Sequence, residues 1–499
     1  MKTRIIIFVE IALLILVVCI SSLVFDFESL GNRLLATMFN RPLCKDCNVV
    51  LVSLDTLSAN RLPCYGGSHN TAPNLCKFAG ENILFSNMYA NSWYTLPSHV
   101  SIFTGLLSSS HGVSSSSSTL NKSIPFLPTL LQNAGYKTYF YMENHPNLPT
   151  DKVYYRGINK VNFIVRINEW ETGIEQLLSD KTKKSFFFFH IWDLSFPYAK
   201  SSSIKRAMSE NDKEMFEPGF GFVPNYEFTK DFYLYVTKSI QSDVAYGYFD
   251  KEIQTNPQLV NIFTSSSYES LKDKYYQEEE IHNMISSYWY KYYFKIYEEK
   301  YASNSANNKL LASKYDEKIF ELDQERALLD LIKVVKGKKD TILIITSDHG
   351  EEFMEHGALT HASLYDQNTK IPLIMYIPGI EKQNIKQIAQ SIDIAPTILD
   401  LVGIPFESKM FQGESLMSYI LGKSKFSKKY IFTEKRGDGL PLTIRDLNYK
   451  LFLIRPPNLK YVPYELYNTS TDPGEKRNII YSEPDVVSLL EKQVKKMYQ

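Results

Sequence analysis

Four stretches of the chain are predominantly apolar, rich in β-branched or aromatic residues. Asn48–Leu54 stops at Asp55, Ser185–Phe189 at His190 and Thr341–Thr346 at Ser347-Asp348-His349, while Ile371–Tyr376 reads as a fourth. Runs of this length without strict alternation predict strands buried on both faces. Helical spacing appears between them, at Phe126–Ala134 and Tyr315–Val335. Strands alternating with helices predict an α/β fold, a mostly parallel sheet covered on both sides. Ligands of such sheets gather at the carboxyl ends of the strands. Asp55, His190 and Asp348-His349 stand at such ends.

The rhythm breaks between Ser201 and Ser313, a polar, Tyr-rich stretch. Ile285, Tyr288, Trp289, Tyr292 and Ile296 recur there at helical spacing, which predicts the packing stripe of an insertion. A cover over the active site is the sharper alternative. The serine clusters Ser108–Ser110 and Ser114–Ser118 read as loops. Beyond about residue 405 short β segments such as Tyr449–Ile454 predict a smaller C-terminal α+β subdomain. No internal repeat is visible.

At the N-terminus Lys2 and Arg4 precede an apolar run over residues 5–25, interrupted by Glu10. As a helix it would cover about 30 Å, enough to span a bilayer. The positive flank predicts a single-pass anchor with the N-terminus cytoplasmic and the body extracytoplasmic. No A-x-A cleavage site follows, and the residue before Cys19 is not small, so an uncleaved anchor is favoured over a signal peptide. The expected organisation is an anchor at 1–25, a linker at 26–46, a catalytic domain at 47–404 carrying the insertion at about 201–313, and a C-terminal subdomain at 405–499.

Composition changes this picture little. Apolar residues make up 44% and charged residues 22%, an ordinary globular balance. Lys+Arg and Asp+Glu are equal at 55 each, so no electrostatic footprint for nucleic acid appears. Of the five cysteines, Cys19 falls in the anchor. Cys44, Cys47, Cys64 and Cys76 suit two disulfides in an exported body, with connectivity left open by the sequence. A zinc or redox role for Cys44-x-x-Cys47 is the lesser reading, because no second pair stands at metal-finger spacing.

The chemistry starts from Asp55 after one strand, Asp348-His349 after another, and the hydroxyl of Thr95 just ahead of a helical stretch. Cleaving an anionic ester requires an oxygen nucleophile beside a negatively charged centre. A divalent metal lowers the nucleophile's pKa, neutralises charge and fixes geometry, and it takes oxygen and imidazole ligands held on rigid strand ends. Taken singly these residues are weak signals, since Asp at a strand end more often caps a helix.

Together they resemble a known family. Asn48-Val-Val-Leu-Val-Ser-Leu-Asp55 resembles the opening strand of the sulfatases, and Thr71-Ala-Pro-Asn-Leu75 with Phe78 and Phe85 the next segment. Thr95-Leu-Pro-Ser-His-Val-Ser-Ile-Phe-Thr-Gly105 is similar to the sulfatase signature. Ser347-Asp-His-Gly-Glu351 with His356 and His361 is similar to the second metal-binding stretch. Asp393-Ile-Ala-Pro-Thr-Ile-Leu399, Gly413-Glu-Ser-Leu416, Glu465-Leu-Tyr-Asn468 and Asp472-Pro-Gly-Glu475 resemble C-terminal landmarks. The resemblance runs from about residue 48 to 480, with 201–313 largely outside it. It implies an alkaline-phosphatase-like fold and one divalent metal, Ca, Mn or Zn, held by Asp55, Thr95, Asp348 and His349. His190 and Asp193 with His361 are the candidates for a second metal, and one metal is favoured.

Several positions depart from the family pattern. Thr95 stands where sulfatases oxidise a Cys or Ser to formylglycine, so the resemblance implies a plain hydroxyl activated by metal. Thr here is similar to phosphoethanolamine and glycerophosphate transferases and nucleotide phosphodiesterases of the same superfamily. The anion-binding Lys is replaced by Glu143, the Arg after Pro-Ser by His99, and the His of Asp-x-His by Ser195. Each lost charge-assisted contact is worth about 1.5–3 kcal/mol, which tilts the expectation toward a phosphoester. His361, His99 and His145 are the candidates to touch substrate, with His361 as anion ligand or general acid.

The expected function is a metal-dependent hydrolase of sulfate or phosphate esters acting through a covalent ester on Thr95. One alternative is a membrane-anchored phospho-group transferase modifying envelope lipid or glycan. Another is a catalytically inactive relative that binds glycan. The expected partners are a sulfated or phosphorylated glycan or lipid and the membrane, with no nucleic acid.

Overall fold

The computed structural model describes residues 42–114, 118–143, 155–164, 167–180, 184–195, 230–241, 253–277, 281, 305–423, 429–435, 441–455 and 460–498. The expected anchor at 1–25, His145 and the Ile285–Ile296 stripe lie outside them. Among the described residues no helix is long and apolar enough to cross a membrane. The chain forms two compact units, one of Met1–Ser195, Asp316–Glu352 and Thr360–Gln499, the other of Phe196–Tyr315 and Phe353–Leu359.

In the larger unit the first apolar run becomes β1 (Asn48–Leu54), with every residue buried. It is flanked by β2 (Ile83–Tyr89), β3 (Lys137–Glu143), β4 (Lys160–Ile164), β5 (Ser185–Ile191), β6 (Thr341–Thr346), β7 (Leu373–Tyr376) and β8 (Gln383–Gln390) in one sheet. The spatial order is β8-β2-β7-β6-β1-β5-β3-β4. Residues Val49 and Val52 pair with Phe186 and Phe189 on one side and with Ile342 and Ile345 on the other, all parallel. The three most apolar runs are therefore neighbours at the centre of the sheet, where both faces are covered.

The run expected at Ile371–Tyr376 begins as a strand only at Leu373, and it pairs antiparallel with β6 and β2. Pro372 has no N–H to give to a ladder, and its carbonyl instead accepts from Thr346 Oγ1 at 2.8 Å. β2, β3, β4 and β8 were not expected. β8 at the sheet edge reads Gln-Asn-Ile-Lys-Gln-Ile-Ala-Gln and is only partly buried, so its sequence is too polar to announce a strand.

The helix expected at Phe126–Ala134 is present at Leu127–Asn133. The one expected at Tyr315–Val335 is two helices, Ser305–Asp323 and Arg326–Lys336. Asp323 explains the break. Its carboxylate accepts from the backbone N–H groups of Asn74 (2.9 Å) and Leu75 (2.7 Å), capping α1 (Pro73–Gly80) from a distant part of the chain. The segment Ser108–Ser110, expected as loop, is a short helical turn over Ser108–His111. Glu434 holds it, accepting from Ser109 N and Oγ at 2.7 Å each.

The C-terminal part folds as an antiparallel sheet of β9 (Ile431–Glu434), β10 (Pro441–Arg445), β11 (Tyr449–Ile454) and β12 (Val462–Asn468), in that order. Leu490 and Val494 of the terminal helix Pro484–Tyr498 belong to its core. A buried charge cluster joins this sheet to the segment around Asp366. Arg445 Nη1 meets both oxygens of Asp366 at 2.7 and 2.8 Å, and Lys450 Nζ lies 2.7 Å from Asp366 and 2.9 Å from Glu475. The cysteines pair as Cys44–Cys47 and Cys64–Cys76, so Cys44-x-x-Cys47 has no thiolate for zinc.

In the smaller unit, helices Lys230–Gln241 and Pro257–Ser265 share a core of Phe232, Val236, Leu259, Phe263 and Leu271.

Candidate active site

The side chains at the ends of β1 and β6 converge. Asp55 leaves β1 and is followed by Thr56 at φ 58°, a left-handed conformation that costs a β-branched residue energy and clusters at functional sites. That turn aims the Thr56 N–H at Asp348 Oδ1, 3.2 Å away. The His349 N–H donates to the same oxygen at 3.0 Å. Behind them Gly350 packs so tightly that a Cβ there would sit 2.1 Å from the Gln367 carbonyl.

Opposite these strand ends, α2 (Thr95–Thr104) begins at Thr95 and closes at Gly105, whose φ is 65°. Every residue of α2 is buried. The Thr95 hydroxyl donates to Asp55 Oδ1 at 3.4 Å and lies 3.3 Å from His349 Nε2. His349 Nε2 is 3.4 Å from Asp348 Oδ2 and 3.6 Å from Asp55 Oδ1. Its other nitrogen, Nδ1, donates to the Gly350 carbonyl at 2.9 Å. That bond selects the tautomer with a lone pair on Nε2, facing the carboxylates.

Burial first, and Asp348 second, push Asp55 up to about 7. Burial also raises Asp348. Burial lowers His349 to about 3, helped by His361. Two carboxylates are thus held together out of water with no positive charge between them, an arrangement that favours uptake of a cation. Asp348 Oδ2 is buried with no hydrogen-bond donor. Ligand atoms of Asp55, Asp348 and His349 lie within 4.8 Å of one another. Carboxylate oxygens, an imidazole nitrogen and an adjacent hydroxyl fit a divalent ion of the Mn or Zn type, and Ca through oxygen.

The remaining histidines divide by position. His361 packs its ring against His349, centroids 4.5 Å apart, with Nδ1 3.5 Å from Glu351 Oε2. Burial pulls its pKa down, but the hydrogen bond and charge of Glu351, with Asp55 and Asp348, outweigh this and leave it raised. His99 sits beneath Thr95, with Nδ1 2.9 Å from the Thr95 carbonyl and Nε2 2.9 Å from Ser53 Oγ. Burial depresses it to about 4. With both nitrogens engaged inside the protein, its geometry supports the first turn of α2. His190 lies 3.1 Å from the Ser53 carbonyl through Nδ1 and meets the His99 ring edge-on, centroids 4.5 Å apart. Both line an otherwise apolar cavity of about 40 Å³ with Leu96, Phe103 and Phe188. Among the described residues the grouping at ligand spacing is Asp55, Asp348 and His349, without His190 or Asp193.

Ser195 was counted in the sequence only as a lost histidine, yet its hydroxyl donates to Asp55 Oδ2. Ser53, which fixes His99, was also missed. It sits one residue inside β1 and alternation alone would place it on the face toward α2.

The chain is similar to several known proteins. Residues 47–404 match the family model described as Sulfatase, and residues 354–499 match the model for the C-terminal part of N-sulphoglucosamine sulphohydrolase. An N-acetylglucosamine-6-O-sulfatase of Bacteroides thetaiotaomicron is 22% identical over 470 residues, 87% of this chain and 82% of that protein. A solved protein in complex with its substrate D-glucosamine-2-N,6-O-disulfate superposes with a TM-score of 0.59 at 20% identity, covering 90% of this chain and 97% of the other. The phosphonate monoester hydrolase of Agrobacterium radiobacter shares the fold with a TM-score of 0.53 at 16% identity, covering 90% and 94%.

Proposed function

From the premise that the chain belongs to the sulfatase family, we propose that it hydrolyses sulfate esters of saccharides by transferring the sulfuryl group to Thr95. The observation that carries this reading is the Thr95 hydroxyl lying 3.4 Å from Asp55 Oδ1 and 3.3 Å from His349 Nε2. The saccharide class rests on the N-acetylglucosamine-6-O-sulfatase and the disulfated glucosamine complex among its relatives.

A divalent ion bound by Asp55, Asp348 and His349 would supply positive charge at the ester oxygens and make a nearby hydroxyl more acidic. Thr95 directs its hydrogen toward Asp55 Oδ1, which leaves its oxygen lone pairs for attack on sulfur. The sulfur–oxygen bond to the sugar breaks as the bond to Thr95 Oγ1 forms, and the Thr95 proton passes to Asp55 Oδ1. The departing alkoxide takes a proton from His361, whose pairing with Glu351 favours the protonated ring. Water then attacks sulfur, giving one proton back to His361, while the Thr95 oxygen leaves sulfur and takes its proton back from Asp55, so that hydrogen sulfate is released and the Thr95 hydroxyl restored. Ser195 and the backbone N–H groups of Thr56 and His349 keep the two carboxylates fixed during this cycle.

The test is mass spectrometry of the peptide carrying Thr95 after brief exposure to sulfated saccharides, with released sulfate measured in parallel. A sulfated Thr95 that turns over is the expected result. Sulfate release with Thr95 never modified would sink the covalent route.

A phosphoester reading is favoured by a different observation. The family's anion-binding lysine is absent, with Glu143 closing β3 in that stretch, and a Thr nucleophile suits phosphoryl transfer. The same experiment with phosphodiesters separates the two readings by which substrate labels Thr95, and an acceptor requirement would mark a transferase. The anchor at 1–25 fits an extracytoplasmic body acting on envelope or external glycans, and expression with a topology reporter tests that placement.

A further inference from the structure

The sequence lacks three of the family's cationic or imidazole contacts to the anion, at Glu143, His99 and Ser195. An anionic ester still has to be held, so a cation delivered from another element is the feature to look for. Lys435 is such a residue. It follows β9, and its ammonium lies 4.3 Å over the Trp93 ring while donating to the Ala362 carbonyl. Trp93 is two residues before Thr95, and Ala362 is next to His361. Lys435 therefore joins the two segments that carry the candidate nucleophile and the candidate acid.

Its placement is fixed by backbone. Ser92 and Glu434 form a parallel bridge, and the Glu434 N–H donates to the Asn91 carbonyl at 3.0 Å. The next residues on both chains, Trp93 and Lys435, are then forced to be neighbours. Glu434 is locked in turn by Ser109 and the Tyr498 hydroxyl. The Lys435 N–H is tied to the Pro441 carbonyl at 2.9 Å. Trp93 packs on the Leu364, Phe452 and Tyr467 cluster and gives the lysine stem a firm wall.

Among the described residues the hydrogen-bond acceptor at the Lys435 ammonium is a neutral carbonyl. Glu352 acts on it only through charge, and burial pulls its pKa down. A half-buried ammonium paired with a carbonyl gains from an anionic oxygen more than an exposed one does.

We infer that Lys435, held by Trp93 and the Ala362 carbonyl, is a substrate-binding residue that takes an anionic oxygen of the substrate in place of the family's missing lysine. This deepens the hydrolase reading and names an anion contact supplied by the C-terminal sheet.

The test compares the full chain loaded with Mn²⁺, wild type against Lys435→Met and Lys435→Arg. Met keeps the stem on Trp93 and removes the charge together with the donor to the Ala362 carbonyl, and thermal unfolding checks that it folds. Calorimetry measures binding of inorganic sulfate and of a sulfated uronate disaccharide. The expected result is about tenfold or greater weakening in Lys435→Met, the scale of one charge-assisted contact, with partial rescue in Lys435→Arg and unchanged Mn²⁺ affinity. Weakening with both ligands puts the ammonium on the scissile group, and weakening with the disaccharide alone puts it on a second acidic group of the sugar. Unchanged binding of both ligands by a folded Lys435→Met overturns the inference. Turnover is scored separately in the wild type. Its absence alongside a real binding loss counts against hydrolysis and not against Lys435, whereas turnover with equal binding counts against Lys435 alone.

Discussion

The Thr95 hydroxyl and the Nε2 atom of His349 lie 3.3 Å apart, although they arise from a helix N-terminus and a strand end 254 residues away in sequence. The pairing requires α2 to start where it does and His349 to hold one tautomer. Thr95→Ala is expected to abolish turnover while leaving the fold intact and weakening metal binding only partly. Thr95→Ser, which keeps the oxygen, should retain measurable activity. Steady-state rates with released sulfate as the readout check both, and a near wild-type rate in Thr95→Ala would remove Thr95 as nucleophile.

Metal loading should stabilise the folded chain. At a free ion concentration 100 times Kd the gain is about 2.7 kcal/mol, visible as a rise in Tm on adding Mn²⁺ or Zn²⁺. Asp348→Asn removes charge at the orphaned Oδ2, and the rise should shrink or vanish. An equal rise in wild type and Asp348→Asn would place the ion elsewhere.

Asp55 gives a pH dependence with a definite sign. Its pKa is raised from 3.8 to about 7 in the metal-free protein. The folded state therefore holds this proton more tightly than the unfolded state does. The metal-free protein should lose stability through this group as pH rises from about 4 to about 7. Metal binding must displace that proton, so affinity should climb with pH through about 7. Ser195 lowers the Asp55 pKa by its hydrogen bond, and Ser195→Ala should shift the affinity curve to higher pH. Metal titrations over this range decide it, and a flat profile would contradict the assignment.

Asp366 lies among Arg445, Lys450 and Glu475 in a buried cluster. Burial opposes its ionisation, but Arg445 and Lys450 outweigh this and hold it well below the usual carboxylate range. Its stabilising contribution is present above pH about 4 and falls away as pH drops toward the folded-state pKa. Asp366→Asn strands the buried Arg445, while Lys450 keeps Glu475, and should cost about 3–5 kcal/mol. Chemical denaturation at pH 7 measures the loss, and a change under 1 kcal/mol would mean the cluster is effectively solvated.

The core of the fold was legible because β1, β5 and β6 are buried on both faces and so are written in predominantly apolar residues. β8 at the edge was not, since Asn384 and Lys386 face solvent and Gln383 and Gln387 are only half-buried. The helix break at Asp323 was hidden because its cause is a pair of N–H groups on α1, far away in sequence. At the site, Asp55, Thr95, Asp348 and His349 were legible through motif order, and they converge. Ser195 was not, because a serine in a loop gains meaning only once Asp55 is seen beside it. His99 reads in the sequence as one candidate to touch substrate, and its engagement by Ser53 and the Thr95 carbonyl depends on α2 lying over β1.

β1 is the first described strand in the chain, yet it sits in mid-sheet with β5 on one flank and β6 on the other. During synthesis its greasiest edge cannot be sealed until Thr341–Thr346 has left the ribosome. Through that interval the nascent chain carries an open, apolar seam able to recruit the wrong strand. A chain that starts to fold before that strand is present leaves this seam open to mispairing, and the 196–315 segment lengthens the interval.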